Sequence, residues 1–244
     1  MLYAALFVAG FVTWTISTLS GGGGAMTLVP VISFVMGAQA VAPVVTVAMV
    51  VGSLGRFAIF RAHIDWRIVR WALPGAIAGA ALGGFLFSVL PVDWLQLALG
   101  LFLISTVVQE YFGQSHTRLE VRPWFFAPVY FCVAGLSAVM GAIGPVMNVL
   151  FLNAGILKER MVGTKTAISL PMQLTKLISY FAFGVLSPEY AIAGLVVGIG
   201  ASLSNGLSRR ILAGMSDTRF RYITIAFMVL AGLAMAWKQR ALIL

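Results

Sequence analysis

Charge is what this sequence has least of. Seven Asp plus Glu and sixteen Lys plus Arg amount to 9% of 244 residues, against roughly 25% in ordinary soluble domains. So few polar groups cannot cover a folded surface in water, whereas a bilayer accepts apolar side chains facing outward. With 61% hydrophobic residues and a mean hydropathy of +1.01, the chain reads as an integral membrane protein. Cysteine is nearly absent too: Cys132 stands alone in an apolar run, which excludes an intramolecular disulfide and suggests a packing role. The only histidines, His63 and His116, fall in loops. There is no HExxH, no CxxC, and no carboxylate pair within an apolar run. No serine or threonine shares its run with a histidine, and Glu110, at the end of its run, is the one carboxylate that shares a run with any. These absences argue against an enzyme and leave no metal or other cofactor to expect. The net charge of +9 punctuates apolar stretches rather than clustering with aromatics, which argues against nucleic acid. Neither glycine tract continues into a phosphate-loop Gly-Lys-Ser or Gly-Lys-Thr.

What is present is a series of apolar runs. About 20 residues cross ~30 Å of hydrocarbon as a helix. Runs at 2–20, 41–60, 71–90, 94–112, 124–143, 161–186, 190–207 and 222–237 meet or approach that length. Two more, 25–37 and 144–156, reach only about 20 Å at helical rise and read as half-helices. Eleven of the sixteen basic residues fall in four connectors: Arg61, Arg67 and Arg70; Arg118 and Arg122; Lys158 and Arg160; Arg209, Arg210, Arg219 and Arg221. Short basic loops stay cytoplasmic, so these define the inner face of a plasma, or inner, membrane. Pro91-Val92-Asp93 and Ser187-Pro188-Glu189 then lie outside. The segments 2–37 and 124–156 must each begin and end on one side, as re-entrant hairpins or as full crossings.

Laying residues 1–112 over 124–237 matches run for run, with 113–123 as a cytoplasmic connector and 124–244 as the whole second unit. Gly37 falls on Gly155 and Thr46 on Thr164 at one offset, and Gly24 falls on Gly144 with a two-residue gap. Each half has five segments, so the second inserts upside down. The expected fold is an all-α polytopic membrane protein of two inverted-topology repeats, broken at Ser20–Ala25 and Met140–Pro145. Such repeats typify secondary transporters, whose substrate sits near the midplane at broken helices. Glycines at a break expose backbone N–H groups, and half-helix N-termini favour anions. Gly22, Gly23, Gly24, Gly144 and Pro145 are therefore candidate substrate contacts.

Three cations fall inside apolar runs: Arg56, Lys165 and Lys176. An intramembrane cation costs at least ~2.5 kcal/mol on insertion scales and is functional by default. Arg56 and Lys165 stand close enough to run ends to snorkel instead; Lys176 does not. Eleven residues return within ~20° on a helix, so Lys165 and Lys176 share a face about 16 Å apart, extended by Ser169, Gln173 and Tyr180. Thr27, Asn148, Thr164 and Gln173 are the neutral hydrogen-bonding candidates.

The glycine breaks, the two short runs and Val162-Gly163-Thr164-Lys165 together resemble the sulfite exporter family of the TauE/SafE type, or toluenesulfonate uptake permeases, over nearly the whole chain. The first half supplies Gly21-Gly22-Gly23-Gly24, Pro30 and Gly37; the second supplies Gly144, Gly155 and Gly163-Thr164. Val45-Thr46-Val47 departs from the family's Gly-Thr-Ser-like element, and Lys165 stands where serine is usual. The resemblance implies transport of sulfite, thiosulfate or an organosulfonate, with export the favoured direction. The residues alone imply only a small anion. An anion channel, an uptake permease for another oxyanion or carboxylate, and a structural or insertase-like membrane protein remain as alternatives. Oligomeric state is not legible.

Overall fold

The computed structural model describes residues 2–20, 24–90, 122–140, 146–220 and 222–223. Within them the chain is helical, without strands: α1 (Leu2–Leu19), α2 (Gly24–Met36), α3 (Ala38–Phe60), α4 (Trp66–Val89), α5 (Phe126–Met140), α6 (Val146–Asn153), α7 (Lys158–Ala182) and α8 (Pro188–Ala213). Short 3-10 turns at Arg61–His63 and Pro123–Phe125 lead into α4 and α5. The expected spans at 94–112 and 222–237 lie, almost entirely, outside the described residues.

Local chemistry sets the boundaries. α4 begins five residues before its apolar run because the Asp65 side chain accepts the Arg67 N–H at 3.1 Å, capping the helix ahead of its apolar part. Ser187 caps α8 in the same way, accepting from the Tyr190 N–H at 3.3 Å with Pro188 at the first helical position. Gly155 (φ 71°) closes α6 in a Schellman turn: its N–H bonds Leu152, and the Ile156 N–H bonds Phe151. Gly37, its counterpart in the first half, adopts φ 87° and ψ 164° between α2 and α3, a region open to glycine alone. Both turns of the aligned pair thus require the residue that the alignment matched.

The helices pack through small residues. On α8, Ala193, Gly194, Val197, Gly198, Ala201, Ser204, Asn205 and Ser208 are buried, while Ile192, Leu195, Ile199 and Leu203 are exposed. The apolar, bulky face points out and the small, polar face points in, the arrangement expected in lipid. Gly75, Gly79 and Gly83 of α4 lie against Ala127, Phe131 and Gly135 of α5, advancing four residues together, so these helices run parallel. α1 meets α8 comparably, Gly10 against Val197 and Gly200 against Phe7 and Phe11. α3 packs on α8, and α4 on α7. Exchanging the two halves converts each of these pairings into the other.

Two apolar clusters mark the two ends. One gathers Phe60, Phe126, Phe151, Ile156, Met161 and Leu212, where α3, α6 and α8 finish and α5 and α7 begin. The other holds Leu6, Leu28, Ile32, Val41, Val44, Ala193 and Val197, near the start of α1, α3 and α8. Four helices, 2–19, 39–63, 66–89 and 188–213, are long and apolar enough to cross a bilayer. Cys132 departs from expectation: it is exposed on the outer surface of α5 beside Phe131, because the buried side of that helix is taken by Ala134, Ser137 and Ala138.

A Cβ on Gly79 would clash with the Phe131 carbonyl, whereas one on Gly206 meets nothing within 4 Å. Gly79→Ala should therefore destabilise the protein by about 1–3 kcal/mol, and Gly206→Ala should not. Thermal denaturation followed by size-exclusion of the detergent-solubilised protein checks the pair.

Candidate functional site

α7 supplies one side of the site. Thr164, Gln173, Lys176 and Tyr180 are buried, at 0%, 2%, 0% and 0% exposure, and Lys165 is half-buried. The polar stripe therefore faces protein. Its lysines reach the ends of the helices that precede the two glycine breaks, Lys165 through Asn148 and Lys176 directly.

At the first break, Lys165 Nζ donates to Asn148 Oδ1, and Asn148 Nδ2 donates to the Ser20 carbonyl at 3.1 Å. Asn148 is fully buried in the first turn of α6, so the second half's short helix is tied to the end of α1 through one amide. Arg56 comes to the same place from α3. Its guanidinium donates to Thr18 Oγ1 at 2.6 Å and to the Trp14 carbonyl at 3.4 Å, and lies 4.7 Å from the Trp14 ring centroid. At 8% exposure it does not snorkel to the surface; the cation–π contact and the hydroxyl hold it in the protein. Arg56 and Lys165 both reach the end of α1, Arg56 at Trp14 and Thr18 and Lys165 through Asn148 at Ser20.

At the second break, Lys176 Nζ lies 3.4 Å from both the carbonyl and the hydroxyl oxygen of Ser137 on α5. The Tyr180 hydroxyl donates to the Ala138 carbonyl one residue on. Between the two levels Gln173 crosses to α3, Nε2 donating to Met49 Sδ at 2.9 Å, while its Oε1 has no partner among the described atoms. Every described partner of Lys176 is neutral. Among the described residues the ion pairs are Arg160–Asp65 at 3.0 Å and Lys158–Asp217 at 3.4 Å, both at connectors.

Of the residues singled out in the sequence, Arg56, Asn148 and Lys165 come together at the first break, and Lys176 stands at the second, with Gln173 between. Thr164 is engaged elsewhere: its hydroxyl accepts the Asp65 N–H at 2.9 Å, closing the α3–α4 connector onto α7. Gly24 and Thr27 lie in the first turn of α2. Gly22, Gly23, Gly144 and Pro145 lie outside the described residues. Sequence reasoning missed Trp14, Thr18, Ser20 and Ser137 as polar partners, while Tyr180 belongs to the stripe it named. One signal was available: Ser17 and Ser137 each stand four residues before a glycine break, and both are buried.

The Arg56 contacts need a planar group that stacks and donates at once, which lysine cannot supply. Arg56→Lys and Thr18→Val should each lower stability by about 1–2 kcal/mol. Their double variant should fall short of the sum by at least about 0.5 kcal/mol. Denaturation midpoints of the four proteins in one detergent check the coupling.

A family model described as "Sulfite exporter TauE/SafE" matches residues 6–235. No curated protein and no solved structure matches the chain at a significant level. Apolar spanning helices and intramembrane cations with neutral partners accord with that match, and the chain belongs to the sulfite exporter TauE/SafE family of membrane transporters for sulfur-containing anions.

Proposed function

We propose that the protein is an exporter of a small sulfur oxyanion such as sulfite, bound near the membrane midplane between two inverted repeats and countered by Lys176. Lys176 carries the reading: it is fully buried, its described partners are the two oxygens of Ser137, and the described carboxylates of the helices, Glu159 and Glu189, stand in first turns at helix starts. A buried cation without a counter-charge is costly; a bound anion is the counter-charge that this site lacks. Arg56 and Lys165 add a second positive locus at the end of α1. Asn148 and Gln173 offer neutral hydrogen bonds, as do the backbone N–H groups expected at Gly22, Gly23, Gly24 and Gly144, with Pro145 opening the second half-helix and Thr27 and Thr164 flanking.

The pairwise exchange of helix contacts between halves supports the inverted repeat, 1–112 against 124–244. The packing of α1 and α2 ends in one apolar cluster and of α5 and α6 ends in the other supports hairpins entering from opposite sides. The exposed Arg61, Arg67, Arg70, Arg122, Arg160, Arg209 and Arg210 gather by the cluster of Phe60, Phe126 and Leu212, supporting a cytoplasmic assignment for that end. With no carboxylate deep in the described helices to carry a proton, the negative interior is the available driving force, worth ~2.3 kcal/mol per charge per 100 mV.

The test is electrical. In proteoliposomes on a solid-supported membrane, a sulfite jump should give a saturable current that an imposed potential modulates. Lys176→Ala and Lys176→Met should weaken the apparent affinity roughly tenfold to a hundredfold, the loss of a charge-assisted hydrogen bond. The methionine variant should melt no lower than the wild type, since it removes a desolvated cation. Equal currents in wild type and variants would remove Lys176 from the site. Absence of any sulfite current would reject the substrate, and flux indifferent to potential would reject the driving force. Replacing Lys165 by serine should shift preference toward less highly charged anions; an unchanged substrate profile argues against a selectivity role.

A further inference from the structure

Outside the transmembrane site the described surface carries one groove whose lining is chemically distinctive. Arg67 and Trp71 of α4 face Arg122, Pro123 and Trp124 of the turn leading into α5 around a volume of about 340 Å³. The two segments are held together by the parallel α4–α5 glycine stack and by direct packing of that turn on α4. Both arginines are exposed, and neither has a carboxylate within ion-pair distance among the described residues. Asp65, the nearest acidic residue in sequence among the described ones, is engaged by Arg160 and by the Arg67 backbone N–H. The groove thus presents two guanidinium forks and no acidic side chain among its described lining residues.

Its depth in the membrane identifies the ligand class. Trp71 is 51% and Trp124 48% exposed, and Trp66 (55%) and Phe125 (43%) continue the aromatic band. Farther along the same helices the outward residues are purely apolar: Ile77, Leu82 and Phe85 on α4, Phe131 and Leu136 on α5. Tryptophan collects at the headgroup level of a bilayer. The guanidiniums therefore stand where lipid phosphates lie, with an apolar face directly below for acyl chains. Guanidinium binds phosphate oxygens in a bidentate fork, and indole rings flank the glycerol region.

We propose that this groove is a binding site for the phosphate headgroup of an anionic phospholipid, with Arg67 and Arg122 as the phosphate ligands and Trp71 and Trp124 seating the glycerol backbone. The site rests on membrane embedding and not on the anion-transport reading, so loss of sulfite current would leave it standing.

Native mass spectrometry of the delipidated protein, titrated with phosphatidylglycerol or phosphatidylcholine, tests it. The wild type should hold one phosphatidylglycerol at concentrations where no phosphatidylcholine remains. Arg67→Gln with Arg122→Gln should weaken that binding about thirtyfold, and Arg122→Gln alone, which lies outside any helix, by about fivefold. Arg209→Gln, an exposed arginine of α8 that does not line the groove, should bind as the wild type does. Equal retention of the two lipids overturns the proposal, as does unchanged binding in the double variant or an equal loss in Arg209→Gln. Displacement of the lipid by millimolar inorganic phosphate also overturns it, by making the site one for free anions.

Discussion

The hardest constraint on this protein is electrostatic: buried cations in a chain whose described carboxylates all stand at connectors or in the first turns of helices. Arg56 meets it with a hydroxyl, a carbonyl and the Trp14 ring. Lys176 has two oxygens of one serine at 3.4 Å, a long contact for an ammonium. The difference separates a cation fixed in the fold from one whose charge is only partly met. Membrane proteins retain such expense where function needs it.

The rest of the architecture follows from keeping those cations inside. Hydrophobicity cannot drive helix association when lipid is as apolar as leucine, so packing must come from close backbone approach. Glycine and alanine accordingly fill the inward faces of α4 and α8, and bulky residues are turned outward. The inward polar residues then answer one another across helices, Asn205 to the Gly52 carbonyl at 2.9 Å and Ser202 to the Val51 carbonyl at 2.8 Å. Prolines 43, 74 and 171 sit within α3, α4 and α7, where such neighbours can re-satisfy the freed carbonyls.

Much of this was legible before any coordinates. Composition alone gave the solvent, and run lengths gave the described helices to within a few residues at most ends. The common face of Lys165 and Lys176 followed from helical arithmetic, and Gly37 and Gly155 from alignment of the halves. What was not legible is tertiary. Nothing in the neighbourhood of Arg56 announces that Thr18, 38 residues earlier, will hold it inside rather than let it snorkel. Thr164 entered as a candidate by motif, and nothing in that motif announced that its hydroxyl would accept the Asp65 N–H of the α3–α4 connector. Cys132 sits in a run apolar on all sides, so periodicity could not tell its outward face from its inward one.

Placing both lysines on α7 has a mechanical consequence. Lys165 reaches the end of α1 through Asn148, and Lys176 reaches the end of α5, about 16 Å away along a single helix. The segments before both glycine breaks are therefore indexed to one rigid element. In the proposed transport cycle, an anion that neutralises Lys176 changes the force on α7 at one level. The helix carries that change to the Asn148–Ser20 contact at the other, because a packed helix moves as a body. The ends of α1 and α5, the segments that precede the two breaks, would then respond together to one charge, which is the coupling that alternating access requires.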